Sequence, residues 1–225
     1  MEHLWFKRSL TQVSAKTALD TWIYQSPVCI ETPIIPDGCR DFIFKRTPNG
    51  TIHWLISPLD TTTTQVSINA GTDMVGVRLR PGTQINETAL LKWSRCHDPL
   101  ELLDVDRLDE FCTLRISTVE ILDCLKGAAS VGNAASELGV SVRTLQREVK
   151  QSTGTTPKFW LALARVRQTC RLLATCQDLA EASALFGYAD QAHMTRDIRR
   201  WLGVTPIGFM ANQELHQQLY QRGYG

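Results

Sequence analysis

The chain has 225 residues, 43% hydrophobic and 21% charged, and its 24 basic side chains nearly balance 23 acidic ones for a net charge of +1. That length suits two modest domains better than one, and the mix is that of a globular, soluble chain. No apolar run reaches the ~18 residues of a membrane span, and MEHLWFKRSL carries charges where a secretory leader needs its apolar stretch, so a cytoplasmic location with no membrane partner is expected.

The first 85 or so residues read as β-rich. Thr21-Trp22-Ile23-Tyr24 is a short apolar run, and Val28-Cys29-Ile30 follows Ser26-Pro27. The turn tripeptide Pro36-Asp37-Gly38 leads into Cys39-Arg40-Asp41-Phe42-Ile43-Phe44. A second turn, Pro48-Asn49-Gly50, precedes Ile52, Trp54 and Ile56 in alternation. Val75, Val77 and Leu79 then alternate with Gly76, Arg78 and Arg80 until Pro81-Gly82 ends the strand. Several short strands with turns between them predict a compact antiparallel sheet, a small barrel or a sandwich, over residues 1–97.

From Asn86 the pattern becomes helical. Asn86 suits the cap of a segment through Ala89, Leu90 and Trp93, and His97-Asp98-Pro99 breaks it. A second helix is expected from Pro99 to Phe111, inside a helical linker at 98–115. Leu90, Trp93, Leu102 and Leu103 fit either a dimerisation face or a cover over the sheet.

Charge divides unevenly. Through Cys112 there are 11 Lys/Arg against 14 Asp/Glu, and from Thr113 onward 13 against 9, so a −3 half precedes a +4 half. A basic segment beside a mildly acidic one is the pattern of a nucleic-acid-binding domain next to something that does not bind. The basic half opens on a helix at 118–126, with Val119, Leu122 and Leu125 on one face and Gly127 ending it.

Two units of similar pattern follow. NAASELGVSVRTLQREVK reads as a short helix from Asn133, a turn at Gly139-Val140, and a helix capped by Ser141. AEASALFGYADQAHMTRDIRRW places its turn at Gly187-Tyr188 and a helix near Asp190. Ala135 and Ser183 stand four residues before the turn glycines. Helices crossing at a helix-turn-helix angle need a small side chain where they touch and a residue tolerant of φ > 0 where they bend. Two such units, at about 131–152 and 179–202, are a far more specific signal than one. Between them a helix is expected from Pro157 to Ala174, about 27 Å long at 1.5 Å per residue. Major-groove entries on one face of DNA lie about 34 Å apart, so a stiff linker of this length can hold both reading helices to adjacent turns.

TGTTPKFWLALARVRQTCRLLAT between the units and LGVTPIGF after them complete a pattern that resembles the AraC/XylS family of bacterial transcription regulators. The resemblance covers about 118–211. It rests most on Ala135, Gly139, Ser141, Leu145, Arg147, Gly154, Pro157, Arg165, Gly187, Tyr188, Arg196, Gly203 and Pro206. It implies an α+β chain: a β-rich sensor or effector-type domain at 1–97, the linker, and an all-α DNA-binding domain at 116–225. Met194 and Ile198 stand where the family usually has phenylalanine, and Cys170 where it usually has alanine. Asp197 replaces an apolar or neutral residue and would place a negative charge near the DNA. PDGCRDFIF and VGVRLRPG also resemble a sensor-type domain of short AraC-like proteins. The partners implied are double-stranded promoter DNA, with a small-molecule effector, a homodimer and RNA polymerase as further candidates.

Reading helices present their first two turns to the groove. In the first helix that selects Arg143, Gln146 and Arg147, on one face opposite Val142, Leu145 and Val149, which should be core. Arginine offers a planar fork to guanine O6 and N7, and glutamine suits adenine N6 and N7. In the second helix the positions are Gln191, His193 and Arg196, with Ala192 small enough for a thymine methyl. Ser141, Lys150, Thr155, Thr195 and Arg199 suit phosphates, which position without specifying. A solvated polar face is the competing explanation for each.

An effector would be met by Asp37, Arg40, Asp41, Arg78 and Arg80, with Trp22 and Trp54 as apolar walls, unless the arginines line an outer face and the tryptophans fill the core. The seven cysteines are an odd, irregularly spaced set that argues against a disulfide scaffold, and no Cys/His group has zinc-ligand spacing. Cys39, beside Arg40, is the one candidate for a thiol-redox input, against a plain structural role. A DNA-repair methyltransferase with a similar DNA-binding module is the enzymatic alternative. It would need a zinc-chelating cysteine set or a Pro-Cys-His-Arg motif, and neither occurs, so no catalytic residue, metal or cofactor is expected.

Overall fold

The structure is a computed structural model that describes residues 16–97, 105–176 and 178–225. It divides into two compact units. One comprises residues up to Thr32 with Cys39–Leu59 and Val66–Arg115; the other comprises Ile116–Gly225 with two short pieces from early in the chain, Pro33–Gly38 and Asp60–Gln65. The class is α+β, as expected.

In the first unit β1 (Ala18–Ser26), β3 (Arg40–Arg46), β4 (Ile52–Ile56) and β6 (Thr72–Leu79) form one antiparallel sheet in the order β1-β6-β3-β4. This sheet is open, where a barrel or sandwich was among the expectations. Alternation sorts its faces. Phe42, Phe44, Val77 and Leu79 point to one side and pack with Leu90 of α1 (Glu87–Ser94), with Val105 and Leu108 of a 3-10 turn (Val105–Glu110), and with Cys112. The Asn86 side chain accepts the Ala89 N–H at 3.2 Å, capping α1 as its sequence predicts. Leu90 is fully buried and Trp93 lies 5.6 Å from the Phe111 ring, so both cover the sheet; Leu102 and Leu103 lie outside the described residues. Most of the expected helix from Pro99 is also outside them, and its described end is the 3-10 turn. A short ladder pairs β7 (Gln84–Ile85) with β8 (Cys112–Thr113), and another pairs β2 (Ile30–Ile34) with β5 (Thr64–Ile68).

The second unit is helical: α2 (Ile116–Gly127), α3 (Val131–Glu137), α4 (Val142–Thr153), α5 (Pro157–Thr175), α6 (Leu179–Leu185), α7 (Gln191–Leu202), α8 (Pro206–Met210) and α9 (Gln213–Leu219). Its axis is α5, which buries Trp160, Leu163, Ala164, Val166, Arg167, Thr169, Cys170 and Leu173. Thr156 caps it and Pro157 opens its first turn, where a missing N–H costs nothing. Leu122 and Leu125 of α2 are buried, whereas Val119, expected beside them, is 39% exposed because Thr118 takes the inward position.

The chain end and the loop Pro33–Gly38 close over α5. Tyr224 packs edge-on against Trp160 with ring centroids 4.9 Å apart, gives its backbone N–H to the Asp37 carbonyl at 2.7 Å, and donates its hydroxyl to the Leu122 carbonyl at 2.8 Å. Arg167, 1% exposed, donates to the carbonyls of Pro36 at 3.2 Å and Leu219 at 3.0 Å. A buried guanidinium is tolerated when carbonyl dipoles replace its water. Among the described residues no helix is long and apolar enough to cross a membrane.

Candidate nucleic-acid interface

Both predicted helix pairs form, and they are built alike. At the first turn Gly139 takes φ 66°, and the Val140 N–H reaches back to the Ala135 carbonyl at 2.9 Å. At the second, Gly187 takes φ 67° and Tyr188 reaches the Ser183 carbonyl at 3.1 Å. Ala135 and Ser183 are 2% and 5% exposed, which confirms why small side chains stand there. The first helix begins two residues earlier than Asn133 predicts, because Ser130 is its cap and accepts the Asn133 N–H.

The second helices match more closely still. Each has 12 residues, each is capped by a side chain accepting the third N–H (Ser141 from Thr144 at 3.1 Å, Asp190 from His193 at 2.6 Å), and each ends on a left-handed glycine, Gly154 or Gly203. The likeness continues into Thr156-Pro157 and Thr205-Pro206, each a threonine cap followed by a first-turn proline. Trp160 and Phe209, fourth in their helices, are both fully buried. The internal repeat therefore reaches past the helix-turn-helix pairs into the helix that follows each. Replacing Ser141 with alanine removes one capped amide, so a loss of about 1 kcal/mol in urea-unfolding stability is expected.

Aligned this way, Leu145 and Met194 occupy the fourth position of their helices and Val149 and Ile198 the eighth; all four are at most 1% exposed. Arg147 and Arg196 occupy the sixth, and both are exposed. Arg143, Gln146, Lys150, Gln191, Ala192 and Arg199 are exposed as well. Val142, expected in the core, is 41% exposed: as first residue of α4 it precedes the turn that packs.

Several of the chosen side chains already have partners. Arg147 lies 3.4 Å from Glu148, a solvent-exposed pair of small energetic weight that leaves the arginine available. Lys150 donates to the Gly154 carbonyl at 2.7 Å at the end of α4. The Ser141 hydroxyl serves the cap and lies 2.9 Å from that of Thr144. Thr155 is half-buried, its hydroxyl 3.2 Å from Thr153, and Thr195 is half-buried. His193 is half-buried, stands edge-on to the Tyr188 ring at 5.2 Å, and its Nδ1 accepts the Ala189 N–H at 3.4 Å, which turns it toward the turn it follows.

Of the residues chosen for an effector, Trp22, Asp41 and Arg78 meet in one cluster. Arg78 holds Asp41 through both carboxylate oxygens, at 3.2 and 3.3 Å, and the Trp22 indole N–H donates to the same carboxylate at 2.9 Å. An added Cβ at Gly76 would overlap that indole, so glycine there makes room for the tryptophan. Arg40 bonds to the Ser57 carbonyl at 2.8 Å and to Glu87 at 2.7 Å, and Arg80 is exposed with its Nε on the Ala18 carbonyl at 3.2 Å. Trp54 stacks on Phe42 at 5.4 Å and meets Phe44 edge-on at 5.2 Å, at the margin of the sheet core. Asp37 belongs to the helical unit. Cys39 is 5% exposed, which keeps oxidants and electrophiles from its sulfur and removes the ground for a redox input there.

Two helix-turn-helix pairs joined by one long helix make up this half, and residues 134–212 match the family model described as a helix-turn-helix domain. The chain is similar over 75 residues, at 40% identity, to the HTH-type transcriptional regulator RipA of Corynebacterium glutamicum, a match covering 33% of this chain and 23% of that one. With RipA of Corynebacterium diphtheriae it shares 37% identity over 70 residues, 31% of this chain and 21% of the other. The match thus spans under a quarter of the length of these relatives. The solved structure of an AraC-type DNA-binding regulator from Chromobacterium violaceum is 28% identical, with 47% of this chain and 91% of that chain covered and a TM-score of 0.36.

Proposed function

We propose that the protein is a sequence-specific transcription regulator that reads two adjacent major-groove segments of promoter DNA with α4 and α7. The observation that carries this is the repeat itself: two helices of equal length and capping, attached to one rod, each offering an exposed arginine at its sixth position. A rod of 19 residues is roughly 28 Å long, of the order of one turn of DNA. Arg143, Gln146, Arg147, Gln191 and Arg196 are the base-reading candidates. Lys150 and Arg199 face phosphates, and His193 chiefly orients the start of its helix. The β-rich unit is the place of regulation, with a small molecule as its input, a second copy of the chain and RNA polymerase as further partners, and the cytoplasm as its compartment.

The test is selection of duplexes from randomised DNA, followed by anisotropy titration of the recovered site. Arg147→Ala and Arg196→Ala should each weaken binding by roughly 1–3 kcal/mol and relax the base preference in one box only. Lys150→Ala should weaken all sequences alike and lower the salt slope by about 1. If both arginine variants bind as the parent does, α4 and α7 are not the reading helices.

A further inference from the structure

Asp197 reads in the sequence as a negative charge set against DNA. In the structure it is committed elsewhere. Its Oδ2 accepts from Arg165 Nη2 of the linker helix at 2.7 Å, and the two side chains are 18% and 23% exposed. The guanidinium also lies over the Tyr188 ring, 4.6 Å from its centre. Tyr188 is the residue that follows the turn glycine of the second pair, and its hydroxyl is 3.5 Å from Thr169, one helical turn along α5 from Arg165. Thr169 in turn donates to the Arg165 carbonyl at 2.7 Å. Three elements thus meet on one guanidinium: the rod, the turn and the reading helix.

The repeat supplies an internal comparison. Glu148 occupies in α4 the position that Asp197 occupies in α7, and among the described residues its ion pair is the exposed one with its neighbour Arg147. The first reading helix therefore has a half-exposed acidic residue paired within its own helix at the place where the second is tied to the rod by a largely desolvated ion pair. Such a pair has well-defined geometry, and removing one partner strands the other charge.

We infer that Asp197, acting through Arg165, is a positioning residue that sets the angle of α7 on the linker helix, and so decides how well the second box is read while the first is untouched. This rests on the DNA-reading role of α4 and α7. An acidic residue simply repelling phosphate predicts the opposite sign, because its removal would then tighten binding.

The test uses the full chain and two duplexes: the selected two-box site, and the same site with its second box scrambled, to which α4 alone contributes specificity. Asp197→Asn should bind the two-box site about 10-fold more weakly and the scrambled site as the parent does. The charge-swapped double variant Arg165→Asp with Asp197→Arg should recover most of the loss. Unchanged or tighter binding of the two-box site by Asp197→Asn overturns the inference, as does equal weakening on both duplexes, which would mean general unfolding. Failure of the parent protein to distinguish either duplex from random DNA would overturn the DNA-reading role itself.

Discussion

Replacing Trp160 with alanine should remove about 3–5 kcal/mol from the stability of the helical unit, a large share of the ~5–15 kcal/mol that holds a typical domain together. The indole is fully buried near the start of α5. It meets Phe159 edge-on at 5.2 Å and Tyr224 at 4.9 Å, and its Nε1–H donates to the Thr153 hydroxyl at 3.0 Å. Alanine would open a cavity bounded by the reading helix's last turn, the rod and the chain end, and would leave the Thr153 oxygen without its indole donor. Trp160→Phe keeps most of the volume and loses the hydrogen bond, so its cost should be nearer 1–2 kcal/mol. Urea titration followed by circular dichroism separates the two variants. Equal midpoints for alanine and parent would mean that this aromatic cluster does not hold the unit together.

The second large effect is expected at Gly38. Its φ is 76°, and a Cβ built there would lie 2.8 Å from Cβ of Tyr224, 2.9 Å from the Trp160 ring and 3.2 Å from Leu163. Gly38→Ala therefore combines a left-handed backbone with overpacking, for a total of roughly 2–5 kcal/mol. Gly139 is the control. Its φ is 66°, but a Cβ there meets nothing within 4 Å, so Gly139→Ala should cost only the backbone strain of about 1–2 kcal/mol. Thermal melts of the pair of variants measure the packing contribution by difference. If the two variants melt together, the chain end does not press on Gly38.

The helical half was legible because its signals are local. A turn glycine, a small residue four before it, a side-chain cap and a first-turn proline each act within a few residues, and the structure places them where the sequence predicts, apart from the Ser130 cap of the first helix. What stayed hidden is long-range. No local pattern announces that Arg167 would sit under the carbonyls of Pro36 and Leu219, or that Asp197 would turn to Arg165. β5 also escaped notice, since four of its five residues are exposed and only Ile68 is buried, which leaves no alternation to see. Val142 shows the limit of periodicity: a helix's first residue can share the apolar phase and still precede the packed stretch.

The early segments Pro33–Gly38 and Asp60–Gln65 are walls of the helical unit: Gln218 takes the Ile35 N–H at 3.1 Å, and Thr63 gives both N–H and hydroxyl to the Trp201 carbonyl, at 3.1 and 2.9 Å. Severing the polypeptide at residue 115 would consequently not release two self-sufficient fragments. The carboxyl-terminal fragment would carry an open seam along its rod, and grafting it onto another amino-terminal module would leave that seam unfilled. Modular exchange, easy for domains strung like beads, is closed to a protein in which one module borrows its masonry from inside the other.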